Sequence, residues 1–264
     1  MLDIINTKYH NLEKYSEKYQ NSKPFPHIVF NNFFNENLLE NVLSEFPDLK
    51  NIDKSFQFYN IYEKKLATNS ELFFKENTKK LIYFLNSSLF LNWLQELTGI
   101  EETLISDPYF FGGGFHEIKK GGFLKLHADF NKHKTTYLDR RINILIYLNH
   151  NWKEEYGGGI EFWSKDLKKC EVKEVPVFNK VVIFNTTSDS FHGHPDPLNC
   201  PENMSRKSLA LYYYSNGRPK NEINKNHNTL FVKRPVNDKL KLVSLFKLLI
   251  PPIIPYLIKK IIIK

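Results

Sequence analysis

Cysteine is scarce: Cys170 and Cys200 are the only two in a chain of 264 residues. Two thiols make no disulfide framework, and without a Cys-x-x-Cys pair they offer neither a zinc site nor a dithiol redox centre. A reducing cytosol is the expected setting. Long apolar runs are also missing. The first twenty residues are polar and charged, which predicts no secretory leader. The segment 240–264 is rich in Leu, Ile and Val, but Pro251, Pro252 and Pro255 break it, and Lys241, Lys247, Lys259, Lys260 and Lys264 interrupt it. A spanning helix wants about 18 apolar residues in a row. That tail is therefore expected either to pack on protein or to touch a membrane peripherally, as an interfacial anchor. Blocks of like charge are absent as well. The net charge is +8, yet no run of five or six lysines or arginines occurs, so the excess reads as a solvated surface and no nucleic-acid partner is expected. Alanine is rare while asparagine and lysine abound, a bias of genome composition that carries no function.

What the chain does have is enough apolar matter, 41% of residues with 15% aromatic, to bury a substantial core as one large domain with decorations. Asn35 is placed to cap a helix carrying Leu38, Leu39, Val42, Leu43 and Phe46 at helical spacing, stopped by Pro47. From Ser70 a second helical stretch bears Phe73, Phe74, Leu81, Ile82 and Leu85, then Leu89, Phe90, Trp93, Leu94 and Leu97, with Gly99 placed to end it. The first hundred residues therefore read as a mostly helical support. From Thr103 onward the texture becomes short runs of Phe, Tyr, Val and Ile between turn residues. The pattern predicts strands near 104–111, 114–119, 123–129, 141–149, 159–163, 170–175, 178–185 and 206–214. Short strands without intervening helices imply a sandwich or jelly roll, helices covering one outer face. The expected organisation is a helical region over 1–100, a jelly-roll core over 101–220 and an extension over 221–264.

Within the core, Gly121 to Phe130 holds His127 and Asp129 two residues apart. Residues i and i+2 of a strand share a face, so an imidazole and a carboxylate project into one space. Two nitrogens and one oxygen on one face of a metal form the facial triad of non-haem Fe(II) sites, which leaves coordination positions open. A later histidine would complete it, and His192 and His194 both follow the apolar run Val181-Val182-Ile183-Phe184. Period-two reading puts Arg141, Asn143, Leu145 and Tyr147 on one face of their strand, with Ile142, Ile144, Ile146 and Leu148 on the other. In the last strand Arg206, Ser208, Ala210 and Tyr212 share a face. An inward arginine requires an anion, either an acidic side chain or a bound carboxylate.

His127-x-Asp129, Tyr147-Leu148-Asn149 with Trp152, the Gly157-Gly158-Gly159-Ile160-Glu161-Phe162-Trp163 run, Phe191-His192-Gly193-His194-Pro195 and Arg206-Lys207-Ser208-Leu209-Ala210-Leu211-Tyr212 occur in order. Together, over about residues 100–216, they resemble the 2-oxoglutarate and Fe(II)-dependent dioxygenases of the prolyl 4-hydroxylase-like branch. The resemblance implies a double-stranded β-helix with helical support, iron held by His127, Asp129 and, in preference to His194, His192, and 2-oxoglutarate bound through Arg206, Ser208 and Asn143. It implies hydroxylation of an unactivated C–H with release of succinate and CO2, O2 as co-reactant, and room for ascorbate. The chain departs from that pattern where a tyrosine is usual: Ile118 and Ile146 stand there. The substrate is thus a peptidyl proline, an amino acid, a glycan or a lipid-linked sugar. Phe123, Phe130 and Phe191 are expected in the dry wall, and His116, His133 and His150 as ordinary histidines. The rival readings are a non-catalytic cupin-like module that binds metal or sugar, and a cupin-type hydrolase or isomerase.

Overall fold

Each strand of a half-buried sheet must turn one row of side chains to a core, and here the apolar rows Ile142-Ile144-Ile146, Val181-Ile183 and Leu209-Leu211-Tyr213 all turn to the same one. The computed structural model describes residues 3–235; the tail at 240–264 and the expectation attached to it lie outside them. Residues up to Val232 form a single compact unit.

The strands in chain order are β1 (His27–Asn31), β2 (Phe56–Tyr59), β3 (Glu63–Thr68), β4 (Ile105–Ser106), β5 (Gly114–Lys119), β6 (Phe123–Ala128), β7 (Asp139–Tyr147), β8 (Ile160–Trp163), β9 (Cys170–Glu174), β10 (Lys180–Asn185), β11 (His192–His194), β12 (Ser205–Ser215) and β13 (Leu230–Phe231). Pairing runs β1-β10-β7-β12-β5-β3-β6-β11-β8-β9, with β2 on β3, β4 on β12 and β13 on β6. All of these pairs are antiparallel. The result is a jelly roll, as expected. One half, β1-β10-β7-β12-β5, carries the helices α1 (Glu13–Gln20), α2 (Glu36–Ser44), α3 (Glu76–Leu85) and α4 (Ser88–Thr98) on its outer face. Between the halves, Phe25, Tyr147, Ile160, Phe162, Val182 and Phe184 form a second core.

The helices begin and end where their chemistry dictates. Asn35 accepts the Leu38 amide at 3.1 Å, and Gly99 closes α4 in the left-handed region at φ 67°, a conformation that costs glycine little. The first turn of α3 has no cap of its own. Instead the carboxylate of Glu45, just past α2, accepts the Asn77 amide at 3.0 Å and both the Thr78 amide and hydroxyl at 2.7 Å. An anion at a helix N-terminus satisfies orphan donors and the dipole together. Glu45→Ala is expected to lower stability by about 2 kcal/mol, read as a lower urea midpoint at unchanged slope.

Two expectations are corrected. The first hundred residues, expected to be mostly helical with an extended segment over 24–34, hold β1 within that segment, beside β10, but also an unexpected β2–β3 hairpin whose β3 lies between β5 and β6. The hairpin escapes pattern reading because its residues are mostly half-buried or exposed and do not alternate cleanly. Secondly, the run 104–111 shrinks to the two residues of β4. The Asp107 carboxylate accepts the amides of Tyr109 and Phe111 at 2.9 and 2.7 Å, and a side chain that captures its own following backbone makes a turn in place of a strand.

Candidate active site

Strand β11, three residues long, pairs with both β6 and β8, and sets His192 opposite His127. Asp129 follows the end of β6. A bulge in the β6–β11 ladder places three β6 steps, Leu124 to His127, against two of β11, His192 to His194. Among the described residues, the one cluster whose ligand atoms all lie within 4.8 Å of one another is His127, Asp129 and His192. His127 Nε2 stands 3.6 Å from Asp129 Oδ1, and His192 Nε2 stands 3.4 Å from Asp129 Oδ2. His194 is not in the cluster.

The backbone selects the tautomer of both imidazoles. His127 Nδ1 lies 2.8 Å from the Lys125 carbonyl and His192 Nδ1 lies 2.9 Å from the Ser190 carbonyl. A carbonyl only accepts, so each Nδ1 carries the proton and each Nε2 presents a lone pair toward Asp129. Burial, then the neighbouring His127, pushes His192 down to about 4, which keeps it a neutral ligand donor. For Asp129, burial alone would raise the carboxyl; the Arg140 guanidinium, with His192 and His127, outweighs it and holds the group well below the usual carboxylate range.

Arg140 was not singled out by the strand pattern, which put Arg141 on the cavity face. A bulge in the β7–β12 ladder pairs Ile142 with Tyr213 but Arg140 with Tyr214, skipping Arg141. The skip exchanges the two arginines. Arg141 turns away to Glu102 at 2.6 Å and Ser215 at 2.9 Å. Arg140 turns in, 3.1 Å from Asp129 Oδ2, and donates to Asn143 Oδ1 at 2.7 Å, its plane lying 3.5 Å from the Tyr212 ring centroid and 4.3 Å from that of Phe130. Asn143 completes the bridge by donating to Asp129 Oδ2 at 2.7 Å. Both polar ends of Asn143 are thus engaged by protein, where the sequence pattern had it free for a cosubstrate.

The cluster opens into a cavity of about 480 Å³. Arg206 and Ser208 line it, as the alternation of β12 predicts, together with Ile118, Leu145 and Ile160. Arg206 is 5% exposed; its Nε donates to the Gly158 carbonyl at 2.8 Å and its Nη2 to the Tyr147 hydroxyl at 3.2 Å. Among the described residues it meets no carboxylate. The remaining guanidinium donors face a cavity, and a buried cation in that position calls for an anion. Gly158 permits the approach: at φ 73°, a Cβ there would stand 2.5 Å from Leu198 Cδ2 and 3.0 Å from Arg206 Cδ. Gly158→Ala is expected to displace Arg206 and weaken binding of a carboxylate ligand in the cavity by roughly 10-fold or more, measured by calorimetry, with metal affinity retained.

Of the three expected wall phenylalanines, Phe130 lines the cavity; Phe123 and Phe191 do not. Phe56 and Phe58 of β2, Phe111, Tyr212 and Phe231 of β13 take that role, and Phe231 also stacks on Tyr62 with centroids 4.5 Å apart. His116 lines the cavity too, whereas His150 stacks on Phe178 and His133 is buried beside Asp107. Ile118 and Ile146 part ways: the first faces the cavity, the second the helix-covered core.

The jelly roll gathers two histidines and one carboxylate at a cavity that is also lined by a buried arginine, which meets no carboxylate among the described residues. Residues 113–214 match the model of the 2OG-Fe(II) oxygenase superfamily. A prolyl 3-hydroxylase of Mus musculus, OGFOD1, is 25% identical over 205 residues, 72% of this chain and 33% of that protein, so the chain spans about a third of the length of this relative. Among solved structures, a prolyl hydroxylase of Trichoplax adhaerens in complex with a peptide fragment of hypoxia inducible factor superposes with a TM-score of 0.53 at 19% identity, covering 77% of this chain and 92% of that one. HygX of Streptomyces hygroscopicus, with nickel and 2-oxoglutarate bound, superposes with a TM-score of 0.51 at 12% identity, covering 82% and 97%.

Proposed function

We propose that the protein is an Fe(II)- and 2-oxoglutarate-dependent hydroxylase, with His127, Asp129 and His192 as metal ligands and Arg206 and Ser208 at the far carboxylate of the cosubstrate. The observation that carries this reading is the convergence of two imidazole Nε2 lone pairs and a carboxylate within 4.8 Å, at a cavity shared with a buried arginine that has no acidic partner among the described residues. The donor set, two nitrogens and one hard oxygen, suits Fe(II) and leaves positions open. Iron, when bound, supplies the oxidising chemistry: O2 and 2-oxoglutarate become succinate and CO2 while a substrate C–H becomes C–OH.

The chain's own residues do the positioning. The Lys125 and Ser190 carbonyls fix which nitrogen of each histidine is presented, a role that outer partners of metal ligands commonly fill. Arg140 and Asn143 both engage Asp129 Oδ2, hold the carboxylate ionised and leave Oδ1 free of their hydrogen bonds. Phe56, Phe58, Phe111, Phe130, Tyr212 and Phe231 exclude water and present ring faces to the substrate. Such a mouth suits a ring-bearing, weakly polar group, and a peptidyl proline is the substrate class we assign. Among the described residues no helix is long and apolar enough to cross a membrane; the proposed peripheral contact of 240–264 is checked by liposome co-sedimentation with and without that segment.

The test is anaerobic addition of Fe(II) and 2-oxoglutarate, watching for the visible metal-to-ligand charge-transfer band, followed by succinate release with proline-containing peptides and with aminoglycosides. The band is expected in the wild type and absent in His127→Ala. A folded protein that binds iron but gives no band sinks the reading and leaves the metal- or sugar-binding jelly roll as the better account.

A further inference from the structure

His194 is the feature of the cavity that the proposed function leaves without a task. It sits on β11, two residues beyond His192, is 4% exposed and lines the cavity. Among the described residues neither Nδ1 nor Nε2 has a hydrogen-bond partner. A buried donor or acceptor left unmatched costs about 1–3 kcal/mol, and an imidazole has two such atoms, so a side chain kept in this state is built for something that arrives from outside. That something is not the metal, since His194 lies outside the converged cluster. Arg206 lines the same cavity, and after burial its guanidinium is the largest influence on the His194 imidazole.

The other groups that line the cavity with Arg206 narrow the partner. Ile118, Leu145 and Ile160 offer no hydrogen bonds, Lys65 is held by Glu63 at 3.0 Å, and Tyr147, whose hydroxyl accepts from Arg206, is not among the lining residues. A carboxylate received by Arg206 has more acceptor sites than a guanidinium fills, and besides Ser208 the neutral His194 imidazole N–H is a cavity donor that no described protein group engages.

We propose, resting on the function given above, that His194 binds the cosubstrate: it donates an N–H hydrogen bond to the carboxylate held by Arg206, and so makes the cavity prefer a dicarboxylic oxoacid over a monocarboxylic one. No charge change is needed, because either neutral tautomer provides one N–H.

The experiment is calorimetric titration of the Mn(II)-loaded protein with 2-oxoglutarate and with 2-oxopentanoate, which has the same chain but lacks the distal carboxylate. His194→Leu is expected to weaken 2-oxoglutarate on the order of 10-fold, the loss of one hydrogen bond to a charged group, while 2-oxopentanoate and Mn(II) bind as in the wild type. His194→Gln, which keeps a donor, recovers most of that loss. His194→Phe, closer to imidazole in shape, gives the same comparison if the leucine variant does not fold. Unchanged affinity for 2-oxoglutarate, or an equal loss for both oxoacids, overturns the assignment while leaving the proposed function standing. Failure of the wild type to bind 2-oxoglutarate at all overturns both.

Discussion

Asp129→Ala is expected to cost more than any other single change in this protein, and on two separate readouts. The first is metal affinity. Loss of a mere outer partner of a metal ligand already costs about 10- to 100-fold, and Asp129 supplies the oxygen donor itself, so Fe(II)-dependent turnover should fall by more than about 100-fold. The second is stability. Asp129 is the acidic partner of Arg140, 1% exposed and 3.1 Å away, and removing one member of a buried ion pair leaves an uncompensated charge that costs about 3–5 kcal/mol. Thermal unfolding of the apo protein should show the drop directly. The double variant Asp129→Ala/Arg140→Met separates the effects: stability returns in large part because the stranded guanidinium is gone, whereas metal affinity does not. Wild-type iron affinity in Asp129→Ala would falsify the ligand assignment.

Arg206→Ala should give the opposite pattern. Its guanidinium is buried without a carboxylate among the described residues, bonded to neutral oxygens of Gly158 and Tyr147. Burial pulls its pKa down from the ordinary value, and Tyr147 only partly restores it. Truncation removes a desolvated charge along with its packing, so apo stability should change far less than in Asp129→Ala. Affinity for 2-oxoglutarate, however, should fall on the order of 100-fold, because a paired carboxylate–guanidinium contact contributes two charge-assisted hydrogen bonds. Arg206→Lys should rescue little, since an ammonium cannot span both the Gly158 carbonyl and a bound carboxylate. Equal affinities of wild type and Arg206→Ala would remove the arginine from the cosubstrate site.

The two arginines carry a lesson about what a sequence displays. Arg206 was legible because β12 is regular: its period-two face, Arg206 to Tyr212, is the face that lines the cavity. Arg140 was not, because a single bulged residue shifts the register of β7, and the local pattern Asp139-Arg140-Arg141-Ile142 does not reveal which arginine is skipped. Bulges are decided by the neighbouring strand and by the partners that wait on each side. Here Glu102 and Ser215 receive Arg141, while Asp129 and Asn143 receive Arg140. The same limit explains the β2–β3 hairpin and β13, which build much of the cavity mouth. They are short and weakly patterned, and pairing rather than propensity makes them strands.

What the amino-acid sequence determined by itself was everything that depends on spacing along one element: the caps at Asn35 and Gly99, the two faces of β12, and the placing of His127 and Asp129 side by side. These follow from backbone periods of 3.6 and 2 and need no partner. What the tertiary structure decided was everything that depends on contact between elements remote in sequence. It chose His192 over His194 for the cluster, because β11 lies beside β6 in the one register that sets His192 opposite His127. It exchanged Arg141 for Arg140, and left His194 with two unmatched nitrogens facing the cavity. The physical reason is the same in each case: side-chain direction is local, but which groups then meet is fixed by pairing and burial across the whole sheet.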